Sequence, residues 1–435
     1  MGVQRNRQST WLAGRTFLDL IRWHLTHLES LILLGILITL FFMPLHEKLK
    51  AAGFWITLAL WLTKLVRERH AQKIWIPPLG WALLLFVGVA FLSAIFSDYH
   101  NRATRGALDA LRNTLFFLVL VNTVNSHEKI RWIIFALMGG MVFGDFAGIY
   151  KYFSIGPELE MLSLGEKNST AQVLSFFLAL LLGILFTQRR QVIFRTGILI
   201  VIGLTGFTLV LTYARGIWIS LLVALIAFWI VRLDWKVPAA LSLLFGMVLL
   251  GMSFSDRFAE KIVSLENPLI APNMIGRYEI WKQSLEIVKD RPLLGIGLKT
   301  YGLPQVTQKY QLESSSHAHN MFLNVAAELG LAGLIALTVW LIFYFKTILR
   351  MYPGMRSELN QGLWLGGLGC FVVLMVGGIT HSMLGSESSL MLMTVLGLMF
   401  AGFRVESKES HLISRYLYKL AGCARTGHQS AAAVR

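Results

Sequence analysis

Two histidines, His317 and His319, stand in the segment Ser-Ser-Ser-His-Ala-His-Asn-Met-Phe-Leu, where a polar stretch runs into an apolar helix. An imidazole changes charge near neutral pH, so at a membrane surface it can take or give a proton, which points to chemistry on a lipid-borne substrate. Three arginines share the side of the membrane expected for this segment. Arg215 follows Thr212-Tyr213-Ala214 and precedes Gly216, Arg277 lies in an amphipathic stretch, and Arg291 ends that stretch before Pro292. A planar guanidinium makes paired, charge-assisted bonds to phosphate oxygens, so three of them in one cleft would form a metal-free diphosphate site. Between the arginines and the histidines, Gly295-Ile-Gly297 offers a turn whose backbone can approach a substrate closely.

Each of these residues also has a plainer reading. A terminal Arg215 can snorkel, Arg277 can be a solvated charge, and Arg291 can partner a helix dipole. His317 and His319 can fill an interface, and as a pair they lack the third ligand that zinc requires. Asn320 follows them as a supporting residue. Glu158 and Glu160 imitate an acidic metal motif on an exterior loop, and Asn168 reads as a helix cap. Asp109, Arg112 and Asp145 fall inside apolar runs, where charges pair or face the bundle interior. His381, at a short turn between the last two spans, stays open.

The elements that carry these residues are those of a membrane protein. The chain has 435 residues, 55% of them hydrophobic, with a mean hydropathy of +0.61. Apolar runs of bilayer-crossing length predict an all-α polytopic protein of about twelve spans: 29–45, 51–66, 77–96, 106–124, 130–153, 169–187, 192–212, 216–231, 237–253, 325–349, 363–380 and 388–403. A cytoplasmic segment (1–28) precedes spans one to nine (29–253), a long outer loop (254–318) precedes the last three spans (319–403), and a cytoplasmic tail (404–435) follows. The basic start lacks a small-residue cleavage site, so the first span is expected to remain as an anchor. Most of the 40 Lys and Arg residues gather on one side, including Arg5 to Arg22, Arg189, Arg190 and the tail, which makes that side cytoplasmic and puts both termini there. The net charge of +16 then reflects topology and attraction to anionic lipid, with no nucleic-acid partner expected. Cys370 lies mid-span and Cys423 in the tail, so no disulfide is expected. In the outer loop, Asn273 to Asp290 reads as an amphipathic helix with Tyr278, Trp281, Leu285 and Val288 on one face, able to lie on the bilayer.

In order along the chain stand Arg215-Gly216, Gly276-Arg277, Arg291-Pro-Leu-Leu-Gly295-Ile-Gly297, His319-Asn320 and Glu328-Leu-Gly330. In these elements, over about residues 192–349, the sequence resembles the O-antigen ligase and polymerase superfamily of bacterial inner-membrane proteins, the ligases in particular. One departure is Ala214, where the family often has Ser before Arg-Gly. The resemblance implies a GT-C-like bundle and a cofactor-free, metal-independent glycosyltransferase working at the periplasmic face. It also implies a glycan donor on undecaprenyl diphosphate and an acceptor hydroxyl on the lipid A core. His319 matches the family's essential histidine, which implies a general base or an orienter of the acceptor hydroxyl. Arg215, Arg277 and Arg291 would hold the diphosphate. Polymerase and protein O-oligosaccharyltransferase are the rivals within the superfamily, and a lipid or sugar transporter is the rival outside it. A transporter predicts internal repeats and mid-membrane charges.

Overall fold

The apolar runs fold as helices in the computed structural model. It describes residues 28–67, 74–154, 159–189, 191–232, 246, 272–312 and 317–431, without the side chains of 272–275, 353 and 409–431. In chain order the helices are α1 (Leu28–Phe41), α2 (Glu47–Arg67), α3 (Pro78–Phe96), α4 (His100–Thr123), α5 (His127–Ser154), α6 (Lys167–Thr187), α7 (Val192–Leu211), α8 (Arg215–Arg232), α9 (Pro272–Asp290), α10 (Pro304–Lys309), α11 (Met321–Met351), α12 (Glu358–Thr380) and α13 (Ser386–Ala431). Among the described residues nine helices are long and apolar enough to cross a membrane: α2, α3, α5, α6, α7, α8, α11, α12 and the Ser386–Lys408 part of α13. Helix α1 is shorter, and α4 carries Arg102, Arg105, Asp109 and Arg112 in its first half. Eleven of the twelve expected spans thus fall on helices. The span expected at 237–253, Glu158 and the side chain of Cys423 lie outside the described residues.

Helix α6 is the axis of the bundle. Every residue from Thr170 to Thr187 is buried, as befits a helix apolar on all sides. Hydrophobicity cannot drive one helix onto another in lipid, so close approach depends on small residues. On α12, Gly362 and Gly366 supply them. A Cβ at Gly362 would lie 2.7 Å from the Ile184 Cα, and one at Gly366 would lie 2.9 Å from the Leu180 Cα.

Polar groups gather at the two ends of the bundle. At one end Glu29 accepts from Lys64 (2.6 Å) and Lys129 (2.9 Å), and Glu406 accepts from the Arg356 and Ser357 amides (2.7 Å each). At the other end Lys50 pairs with Glu387 (2.7 Å), and Asp109 pairs with Arg112 (3.4 Å) and Lys299 (2.5 Å). Mid-bundle, Asp145 accepts from the Thr205 hydroxyl (2.6 Å). The three charges expected to pair or turn inward have these partners.

Between α8 and α11, residues 272–312 form a helical unit of their own. Helix α9 and α10 close a small core of Ile280, Ile287, Ile296, Tyr301, Val306 and Leu312, distinct from the main one. The face of α9 that enters this core is the one carrying Ile280 and Ile287. Ile280, Ser284 and Ile287 are buried, whereas Tyr278 and Leu285 are 64% and 50% exposed. The helix is turned by what it packs on, the 296–312 segment and α11, which its own periodicity does not reveal.

Two glycine motifs interlock beneath this unit. Helix α11 breaks at Gly330, whose φ of +63° few side chains tolerate. The 291–297 segment fills the break. Ile296 and Gly297 amides donate to the Ala327 and Glu328 carbonyls (3.2 and 2.8 Å), and the Leu331 and Ala332 amides donate to Pro292 and Leu293 (2.8 and 3.1 Å). Gly295, at φ +65°, has room for no more than hydrogen: a Cβ would stand 2.6 Å from the Ala327 carbonyl oxygen. The freed backbone groups of a broken helix at membrane depth are thereby satisfied by protein, as lipid demands.

Candidate functional site

The peptide of Ala318, between the two histidines, is held from both sides. Its N–H donates to Asn324 Oδ1 (3.0 Å), and its carbonyl accepts from Trp281 Nε1 (3.0 Å). Asn324 is itself fixed by donating to Glu328 Oε2 (3.2 Å), and Glu328 Oε1 accepts the Tyr301 amide (3.2 Å). The chain therefore reaches His319 under constraint, with φ +48°, a left-handed conformation in which histidine is commoner than most side chains but still unusual. Asn320 then caps α11 by accepting from the Leu323 amide (3.0 Å), and its Nδ2 donates to the Ile379 carbonyl at the end of α12 (3.2 Å). The His-Asn element is thus both a helix start and a bridge between helices.

Around His319 three further groups converge. The His317 ring lies 4.3 Å away between centroids. His381 follows α12, with its Nδ1 2.9 Å from Thr380 Oγ1. Gly216 meets this turn: a Cβ there would come within 2.9 Å of His381 Cε1. The Arg215-Gly216 element at the start of α8 is therefore seated against the histidines. It enters through a turn in which Tyr213 has φ +55° and its hydroxyl hydrogen bonds to that of Tyr152. Arg277 on α9 is near enough for its charge to act on all three imidazoles.

The electrostatics follow from crowding of cationic groups in a partly dry place. Burial first, then His317 and Arg277, hold His319 down to about 4. Burial, then Arg277 and the other two rings, hold His381 to about 3. His317 is lowered for the same reasons, and Arg277 is lowered by burial and then by the charge of Arg215. The imidazoles are thus neutral at pH 7, while the guanidiniums keep their protons. His319 Nδ1 is buried with no hydrogen-bond partner among the described residues, an arrangement that costs about 1–3 kcal/mol and that a bound hydroxyl would relieve.

The structure brings together His317, His319, Asn320, Arg215 and Arg277. Arg291 stands elsewhere: its guanidinium donates to Asp98 (2.6 Å) beyond the end of α3. Gly295 and Gly297 pack against α11 and against Ala103 and Ser97 of the bundle. Asn168, expected as a cap, lines a cavity beside the histidines, and the N-cap position of α6 is Glu166. His381 was left open by the sequence, Glu328 stood only as part of the Glu-x-Gly element, Trp281 only as part of an apolar helix face, and Asn324 carried no signal there. The one available hint for His381 was its position at the end of a span on the same side as His319.

With nine helices long and apolar enough to cross a membrane among the described residues, the fold is that of a multi-pass membrane protein. Residues 198–338, which hold Arg215, Arg277, His317 and His319, match the family model described as O-Antigen ligase. A further similarity is to the Exopolysaccharide production protein ExoQ of Rhizobium meliloti (strain 1021), 29% identical over 108 residues; the match spans 23% of this chain and 24% of that protein.

Proposed function

We propose that the protein is a ligase that moves a polysaccharide from undecaprenyl diphosphate to a sugar hydroxyl of the lipid A core, at the periplasmic face of the bacterial inner membrane, with both termini cytoplasmic. The observation that carries this reading is the convergence of neutral His319 with Arg277 and Arg215 inside the stretch that matches the family model. In the step so assigned, the acceptor oxygen attacks the anomeric carbon, a new C–O bond forms, and the bond from that carbon to the diphosphate oxygen breaks. His319 takes the hydroxyl proton, and the electron pair leaves on the lipid diphosphate, whose growing charge the two guanidiniums offset. The residues supply the charge that a divalent cation would otherwise bring, so transfer is expected to persist in EDTA and not to rise with Mg²⁺ or Mn²⁺. Loss on chelation with recovery on adding metal would remove this part of the reading.

The pH profile carries a sign. A base held at about 4 in the folded protein is deprotonated well below pH 6.5, so kcat/KM should stay level through 6.5 on acidification and fall only nearer 4 to 5. The same depression makes neutral histidine a stabilising choice above 6.5, lost as pH falls toward 4. Arg277→Gln removes one of the causes and should move the acid limb upward. An acid limb at 6.5 in the wild type, unmoved by Arg277→Gln, would argue against His319 as the base.

The match to a protein named for exopolysaccharide production favours one second reading, a polymerase in which the acceptor is another lipid-linked glycan. Envelope glycans from a strain lacking the gene decide between them. Core lipid without polysaccharide supports the ligase, core bearing one repeat supports the polymerase, and an unchanged profile removes both in favour of protein glycosylation or transport.

A further inference from the structure

Beside the histidines lies a cavity of about 330 Å3, bounded by α3, α4, α6, α11, α13 and the 298–303 segment, with His317 in its wall. Its volume is within the small-molecule range of roughly 300–1,000 Å3. Its chemistry differs from that of the arginine cleft. Asp109 faces Lys299 (2.5 Å), Lys299 also donates to Ser386 Oγ (3.3 Å), and Arg112 donates to the same hydroxyl (2.9 Å). Asn113 Nδ2 donates to the Ser386 carbonyl (3.0 Å). The wall itself presents Arg102 and Lys299 beside the carboxyls of Asp109 and Glu328, with amides and hydroxyls, while Phe86 and Trp340 give it an apolar and aromatic side. Two polar atoms in this lining have no hydrogen-bond partner among the described residues: Asn113 Oδ1 and Trp340 Nε1, on side chains 4% and 3% exposed. An unmet acceptor and an unmet donor in one amphipathic cavity are a costly arrangement unless something supplies both.

We propose that this cavity seats the acceptor sugar, with Asn113 and Trp340 reading its hydroxyls and His317 forming the partition across which one hydroxyl reaches His319. The inference rests on the glycan-transfer reading above and gives that site a second half. A hexose ring has hydroxyls that donate and accept, and C–H faces that lie on aromatic rings, and it carries no charge to be matched. The cavity's mixed lining fits that chemistry, whereas a diphosphate fits the paired charges of Arg215 and Arg277, the latter near His317. Proton transfer between the halves then occurs at the one place where they touch.

The test uses the full chain in nanodiscs, with the host strain's own undecaprenyl-diphosphate-linked glycan as donor and two acceptors offered separately, lipid A core and a second lipid-linked glycan. Initial rates are measured against donor and acceptor concentration independently, together with slow donor hydrolysis, which needs no acceptor sugar. Asn113→Leu and Trp340→Phe are each expected to raise the acceptor KM about tenfold, leaving the donor KM and the hydrolysis rate within about twofold. Trp340→Phe keeps the ring and removes the N–H, so it tests the cavity even if Asn113→Leu unfolds, which thermal melting in nanodiscs would reveal. A raised donor KM with unchanged acceptor KM, or no change in either, overturns the proposal. A wild type that consumes donor yet transfers to neither acceptor also overturns it, and a wild type that consumes no donor overturns the glycan-transfer reading itself.

Discussion

His319→Ala is expected to abolish glycan transfer, by roughly 10²–10⁴-fold for the loss of a general base, while membrane yield and thermal stability stay close to wild type. The structure sharpens the choice of control. His319 sits at φ +48°, a conformation that asparagine also tolerates, so His319→Asn preserves the backbone and a polar side chain and removes the group that accepts a proton near neutrality. Both substitutions should therefore lose activity alike. His317→Ala is expected to cost much less, within about tenfold, because its ring serves as a wall of the cavity and as a neighbour of His319. The measurement is single-turnover transfer by purified protein with each variant's melting recorded in parallel. Equal tolerance of His317→Ala and His319→Ala would remove the general-base assignment. Recovery of full rate in His319→Asn would show that the residue acts through its shape.

The helices were legible because the bilayer admits few alternatives: a run of bilayer length with no charges must satisfy its own backbone, and helix is how it does so. The site was legible in its chemical types, since histidine at a helix start and arginine before glycine are unusual where apolar spans begin. What the sequence did not disclose is pairing across distance. Gly295 and Gly297 read as a turn that approaches a substrate, and Gly330 as part of a separate motif. The structure shows the two as halves of one joint, with Gly295 and Gly330 each cleared for the other segment's backbone. Arg291 read as a third phosphate ligand because it shares a side with the other two, but its partner Asp98 belongs to the end of α3, a neighbour that no local pattern announces. The cavity is harder still to read, since Asn113, Lys299, Trp340 and Ser386 come from four segments that meet only once the bundle closes. On α9, Tyr278 and Leu285 stay exposed while Ile280 and Ile287 are buried. Periodicity states that a helix has a face, and the segment that covers it decides which face is buried.

Arg215→Lys is expected to impair transfer nearly as much as Arg215→Ala, and Arg277→Lys to follow the same pattern. If either arginine were a snorkelling anchor, lysine would replace it well, because either cation reaches the headgroup region on a flexible stem. The structure gives a reason to expect otherwise. Arg277 is held partly buried within reach of the charge of Arg215, and its own charge adds to burial in keeping the three imidazoles neutral. Two like charges brought together by the fold destabilise it unless an anion answers them, and a diphosphate bridging both would do so. A planar fork makes two parallel bonds to such a group, where an ammonium supplies a point charge, so each Lys variant should lose about 1.5–3 kcal/mol, roughly ten- to more than a hundredfold in rate. The loss should appear in donor kcat/KM and leave acceptor KM unchanged, which separates it from the effects expected of Asn113 and Trp340. Gly216→Ala supplies an independent check, since its added Cβ would press on the Thr380–His381 turn and displace Arg215 without altering its charge. Wild-type rates in both Lys variants would make these arginines determinants of topology, and the diphosphate would then have to be held by other groups at the same end of the bundle.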